Sequence, residues 1–179
     1  MKQFITIFAL TLLLSFSARC DEKTDETKTV KSDRYHFTID YPLDWQPRQS
    51  FNESVATQFT LDSKVPDTQI WPTFQVVVTG EKHLPSDLKD AVKASQEFLK
   101  KSSPGITFST SEELQLDGVA AIRFGFEKMT LQNQELRGLR YAVIQNGRLY
   151  VISMYCSPAQ YDRFNEAADK AAKSIKWIK

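Results

Sequence analysis

Cysteine, histidine and glycine are all scarce in this chain. Two Cys, two His and six Gly occur among 179 residues, and each scarcity removes a class of chemistry. Two cysteines cannot build a disulfide-rich scaffold or a four-cysteine zinc site. Two histidines leave few bases for a nucleophilic triad. The sequence contains no G-x-G-x-x-G, phosphate loop, G-x-S-x-G, H-E-x-x-H or C-x-x-C, so no motif cradles a phosphate or activates a nucleophile. An excess of charge is missing too. The 23 Lys and Arg face 22 Asp and Glu, which argues against a dedicated nucleic-acid binder. What remains is a core-forming composition, 41% hydrophobic and 12% aromatic, enough for one packed domain rather than a disordered chain.

The N-terminus carries an address. Lys2 precedes a 13-residue, largely apolar run from Phe4 to Phe16. That is shorter than the roughly 20 residues a membrane-spanning helix needs, and it fits the apolar region of an export signal. Residues 1–19 are therefore read as a signal peptide. Cys20 stands where bacterial lipoproteins carry their lipid, although Arg19 before it departs from the usual small residue. Ser15-Phe16-Ser17 and Ala18-Arg19-Cys20 are small-x-small triplets that a peptidase releasing a soluble protein could use instead. Cleavage after Arg19 leaves 21 basic and 22 acidic residues, so attachment to a membrane would come from a lipid on Cys20 and not from protein charge. Residues 20–33, with charges of both signs and no aromatic residue, read as a solvated polar tether.

From residue 34 the pattern is that of one α+β domain reaching residue 179. Tyr35, Phe37, Ile39 and Tyr41 alternate on a first strand, closed by Pro42. Residues 55–62 and the β-branched run 73–79 give two more. Leu88, Ala91, Val92, Ser95, Phe98 and Leu99 mark an amphipathic helix over 86–101, with Ser86 as cap. A meander follows: strands 107–116 and 119–128 around Asp117-Gly118, then 135–145 and 148–156 around Asn146-Gly147. Both dipeptides are strong hairpin-turn signals. Strand 135–145 is apolar on both faces, which predicts a central strand covered by a helix on each side. A last helix is expected over 158–177, with Tyr161, Phe164, Ala168, Ala171 and Ile175 buried.

Candidate sites are few. His36 and Asp40 could offer a metal two ligands, where a structural zinc takes four, so no metal is expected. Glu112-Glu113 and Asp40/Asp44 lie in turn-like settings, where carboxylates are common for solvation alone. No catalytic residue and no cofactor is assigned. Cys156 ends an apolar strand and reads as a small buried hydrophobe. Arg123, Arg137, Arg140 and Arg148 fall in neighbouring strands, either as a basic patch for an acidic partner or as snorkelling side chains paired with Glu127 and Glu135. Trp45 and Trp71 stand beside turn prolines, as interface anchors or as lids on the core.

Tyr35-x-Phe37-x-Ile39-x-Tyr41-Pro42-x-x-Trp45 resembles the opening of PsbP-like domains, the family of the extrinsic photosystem II subunit. Asp117-Gly118-x-Ala120, Tyr150-Val151-Ile152-Ser153 and Tyr161-x-x-Phe164 fit the same pattern. Mog-type Ran-binding proteins and DcrB-type bacterial lipoproteins share that fold. The resemblance implies an antiparallel sheet of about six or seven strands sandwiched between helices, and a non-enzymatic role in binding proteins or assisting assemblies. The expectation is an exported, lipid-anchored binding module docking on an envelope protein. The rival is a periplasmic carrier or sensor of a small apolar ligand, its pocket lined by Phe74, Phe98, Phe124 or Phe126.

Overall fold

The computed structural model describes residues 27–49, 54–61, 70, 72–79, 84–85, 87–129 and 134–179. The chain begins with β1 (Thr27–Ser32), β2 (Phe37–Pro42), β3 (Trp45–Pro47), β4 (Val55–Leu61) and β5 (Thr73–Thr79). Helix α1 (Leu88–Ser102) follows, then β6 (Thr107–Phe108), β7 (Glu112–Leu116), β8 (Val119–Met129), β9 (Glu135–Gln145) and β10 (Arg148–Cys156). A 3-10 turn at Pro158–Gln160 leads into α2 (Tyr161–Lys173), and β11 (Lys176–Trp177) ends the order. The larger sheet runs β3-β4-β5-β10-β9-β8-β6, with β7 also on β8, and the smaller runs β1-β2-β11. All these pairings are antiparallel.

The expected α+β sandwich is present. Tyr141, Ile152 and Val76 lie side by side on one face of the large sheet, in a core that includes Phe164, Ala168 and Ala171 of α2. The other face offers Ile122, Phe124 and Ala142 to Ala91 and Val92 of α1. Strand β9 therefore feeds both cores, as its two apolar faces require. Both hairpins turn where the dipeptides predict. Asp117 and Gly118 have φ of 50° and 79°, Asn146 and Gly147 of 51° and 72°, the left-handed values a tight two-residue turn demands.

Four boundaries differ from the sequence reading, three because a contact outside the element outweighs its local signal and one, the start of α1, because a neighbouring side chain is the better cap. Six of the fourteen residues read as tether are strand: Thr27–Ser32 pairs along the whole of β2, and Val30 packs on the core opposite Ile39. One apolar residue suffices when the partner strand supplies the rest of the core. The helix α1 is capped by Asp87, whose Oδ1 accepts from the amides of Lys89 (2.7 Å) and Asp90 (3.3 Å). The strand expected over 107–116 is broken, because Ser109 Oγ accepts the Gly125 amide at 2.7 Å in place of a backbone carbonyl. The final helix stops at Lys173. There Ser174 Oγ donates to the Ala171 carbonyl and accepts the Asp40 amide at 2.8 Å. Ile175 is then fully buried, and the chain turns into β11 on β2.

The C-terminus is pinned to the β7–β8 turn. Asp117 takes the Trp177 amide at 3.0 Å and the Lys176 ammonium at 2.9 Å, and the Trp177 indole N–H donates to the Leu116 carbonyl at 3.1 Å. The Trp177 ring meets Tyr150 at 4.9 Å. In β9, Gly138 is needed for space. A Cβ there would lie 2.5 Å from the Met154 carbonyl oxygen and 2.3 Å from a ring carbon of Phe126, and neither backbone nor packed ring can yield cheaply.

Two outcomes are expected. Gly138→Ala overpacks the centre of the sheet and costs about 3 kcal/mol in urea unfolding. Gly125→Ala costs less, because its Cβ would meet chiefly the movable Ser109 hydroxyl at 3.1 Å. The Trp177 amide first and Lys176 second hold the Asp117 carboxyl below its ordinary value of 3.8. A folded-state pKa that is depressed stabilises the protein above the ordinary value and is lost as pH falls through the lowered one. The stability gap between wild type and Asp117→Asn should be full at neutral pH, shrink below about pH 4 and close in stronger acid, as read by thermal unfolding across pH.

Candidate functional site

Pro42 cannot extend β2, and Leu43-Asp44 turns the chain into β3. This corner faces α2 across an open cleft of about 670 Å3. Its floor is aromatic and small: Trp45, Phe164 and Ala171 are buried, and Trp45 meets Phe164 edge-on at 5.8 Å and Phe74 at 6.3 Å. Leu43, 39% exposed, stands at the rim. The strand bank carries Asp40 and Asp44, while the helix bank carries Arg163, Glu166 and Lys170. The Arg163 guanidinium lies 5.1 Å from the Phe164 ring centre, and Lys170 reaches Glu166 at 3.4 Å. Thr27, at the start of β1, lines the same cleft.

A second hollow of about 400 Å3 opens at the β6–β8 edge and includes Arg123, Arg137 and Tyr161. Its arginines are already engaged. Arg123 donates to Glu112 at 3.2 Å and lies 3.7 Å from Asp169. Arg137 reaches Glu127 at 3.2 Å and stacks 4.3 Å from the Tyr161 ring centre. Asp169 is the hub behind this wall: it accepts from the Tyr141 hydroxyl and meets Lys173 at 2.5 Å. Burial first, then the bond to Asp169, pushes the Tyr141 hydroxyl above its ordinary range. Burial alone would raise Asp169, but its bonds from Lys173 and Tyr141 prevail and hold it below the usual carboxylate value.

The four arginines do not make one patch. Arg123 and Arg137 are on the α2 side of the sheet, whereas Arg140 lies on the other side, stacked 4.8 Å from the Phe126 ring centre. Burial lowers the pKa of Arg140, and its Nε has no hydrogen-bond partner among the described residues. Arg148 sits at the opposite end, donating to the Arg34 carbonyl at 3.4 Å. Arg137 and Arg140 are three residues apart on β9, so the alternation of the strand sends them to opposite faces. Trp45 is 3% exposed, so it is part of the core and not an exposed anchor. Trp71, Cys20 and His83 lie outside the described residues. His36 takes a left-handed φ of 54° in the β1–β2 turn, which removes it from the strand alternation shared with Asp40.

Cys156 is fully buried, and burial pushes its thiol up to about 12, the behaviour of a packing residue. The phenylalanines proposed for an apolar pocket are dispersed. Phe74 and Phe124 belong to cores on opposite faces, and Phe98 is 69% exposed. Among the described residues no three His, Cys, Asp or Glu gather as around a metal ion. Sequence reasoning missed Asp169, Leu43 and the helix bank of the cleft. The one available signal was Leu43, an apolar residue within the Pro42–Trp45 corner.

By sequence the chain matches no protein-family profile and no curated protein. By structure it is similar to cyanobacterial PsbP (CyanoP) from Synechocystis sp. PCC 6803, with TM-score 0.63 and 17% identity over 86% of this chain and 94% of that one. The fold is PsbP-like. LpqN of Mycobacterium tuberculosis, described as involved in cell envelope biogenesis, matches at TM-score 0.61 and 17% identity over 86% and 91% of the two chains. A Pseudomonas aeruginosa protein of unknown function matches at 0.58 and 16% over 83% and 95%. At such identities the PsbP-like likeness carries architecture and no site residue.

The Asp169 hub yields an expected outcome. Tyr141→Phe and Asp169→Ala should each cost about 1–2 kcal/mol. The double variant should cost less than their sum by about 0.5–1 kcal/mol, since one bond is counted twice. Urea unfolding of the four proteins in the cycle measures it.

Proposed function

We propose that this chain is an exported, non-enzymatic binding module of the cell envelope, held to a membrane by a lipid on Cys20 and docking a protein partner. The observation that carries this reading is the corner cleft. Buried Trp45, Phe164 and Ala171 floor it, and side chains of both charge signs ring it. An apolar centre inside a polar rim is how protein interfaces are built. Further support comes from the N-terminal export pattern ending at Cys20 and from a fold also used by an envelope-biogenesis protein. Shared architecture does not transfer a role, so the weight rests on the cleft.

The test is recovery of a partner from the source cells with the full-length chain in mild detergent. A stoichiometric protein should co-purify, and Leu43→Lys combined with Ala167→Glu should cut its recovery at least about tenfold, with the thermal midpoint unchanged. Mass spectrometry of the mature N-terminal peptide should show acylated Cys20. A lone chain bearing a reproducible small-molecule mass would instead establish the apolar-ligand carrier.

A further inference from the structure

The fold shortens the tether. Six residues separate Cys20 from Thr27, the first residue of β1. Their covalent reach cannot exceed about 25 Å, less than the thickness of a bilayer's hydrocarbon core. The strand that this short connection enters is the one whose first residue lines the corner cleft. A lipid on Cys20 would thus hold that cleft, and not the α1 side of the sheet, next to the membrane surface.

We infer that the cleft receives the membrane-proximal segment of an integral membrane protein. The inference rests on the lipidation proposed above. Two features favour a polypeptide over a lipid chain. An acyl chain offers no partner to Asp44 on one bank or to Arg163 on the other, and shielding those groups from water would be costly. Segments that emerge from a bilayer carry Trp and Tyr at the headgroup level beside charged and polar flanking residues. Such a segment can set apolar side chains on Trp45 and Phe164 while its polar face meets both banks, the groove-binding mode of an amphipathic segment. Proximity supplies the rest, since a ligand fixed in the same membrane is met at high effective concentration through a short linker.

The experiment places a photo-crosslinking residue in the full-length, membrane-bound protein: Leu43→p-benzoylphenylalanine, with Glu166→p-benzoylphenylalanine as a second rim position. Phe98→p-benzoylphenylalanine on α1 serves as the distant control. The expected adduct from positions 43 and 166, absent from 98, maps within about eight residues of a partner's membrane span. Inserting about 20 Gly/Ser residues between Thr24 and Asp25 should lower its yield roughly eightfold. Yield indifferent to the insertion, an adduct with lipid or with a soluble protein, or none at either rim position overturns the inference. The mass of the Cys20 peptide from the same membranes separates the cases. An unacylated Cys20 defeats the anchoring reading and this inference together, whereas an acylated one with any of those results defeats the inference alone.

Discussion

Helix α2 has to bury its stripe against two sheets at once, and most of the molecule follows from how it does so. Phe164, Ala168, Ala171 and Ala172 are all buried, and α2 packs across β2 of the small sheet and β9 and β10 of the large one. Three alanines in that stripe let the backbone approach closely, while Phe164 fills the gap beside Trp45. Because β2 is tied to the helix end through Ser174 and Asp40, the chain beyond the helix falls into register as β11. The same seating leaves the Pro42–Trp45 corner standing opposite the helix, which is what creates the cleft.

Electrostatics divides the labour between the two hollows. At the β6–β8 edge, charge is used internally. Asp169 gathers Tyr141, Lys173 and Arg123, and Glu112 and Glu127 engage the two arginines nearby. A hydrogen bond to a charged group in such a half-buried place is worth more than one in water, and a lost partner costs correspondingly more. That hollow reads as a bolt between helix and sheet. Around the corner cleft, by contrast, the charges stand on the rim and the floor is apolar. Binding needs that arrangement, since apolar surface supplies the driving force and rim charges set orientation.

Both hairpins, the strand pairs around them, the two amphipathic helices and the double-faced β9 were legible from the chain alone. They depend on near neighbours: a turn dipeptide needs its own φ values, and periodicity needs only its own stripe. So was the buried role of Cys156. The candidate site was legible only in fragments. Trp45 was visible as a tryptophan by a turn, but its burial depends on Phe74 and Phe164, which are distant in sequence. The arginines looked like neighbours by strand order, yet β9 sends Arg137 to one face and Arg140 to the other.

What only tertiary structure decided has a common cause. Strand β1 lacks an apolar face of its own, and it forms because β2 offers it a complete edge. The last helix would run on by its own periodicity, but Ile175 and Trp177 gain more by entering the core and the Asp117 turn. Asp169 looks like a surface residue until the sheet brings Tyr141 and Arg123 beneath it. The sequence by itself determined the elements that carry their own turn dipeptide or apolar stripe, and it missed β1, which carries neither although its partner is the next strand. Wherever the partner is brought from far along the chain, a few kcal/mol of burial or pairing outweighs local propensities of a few tenths, and only the folded molecule shows the result.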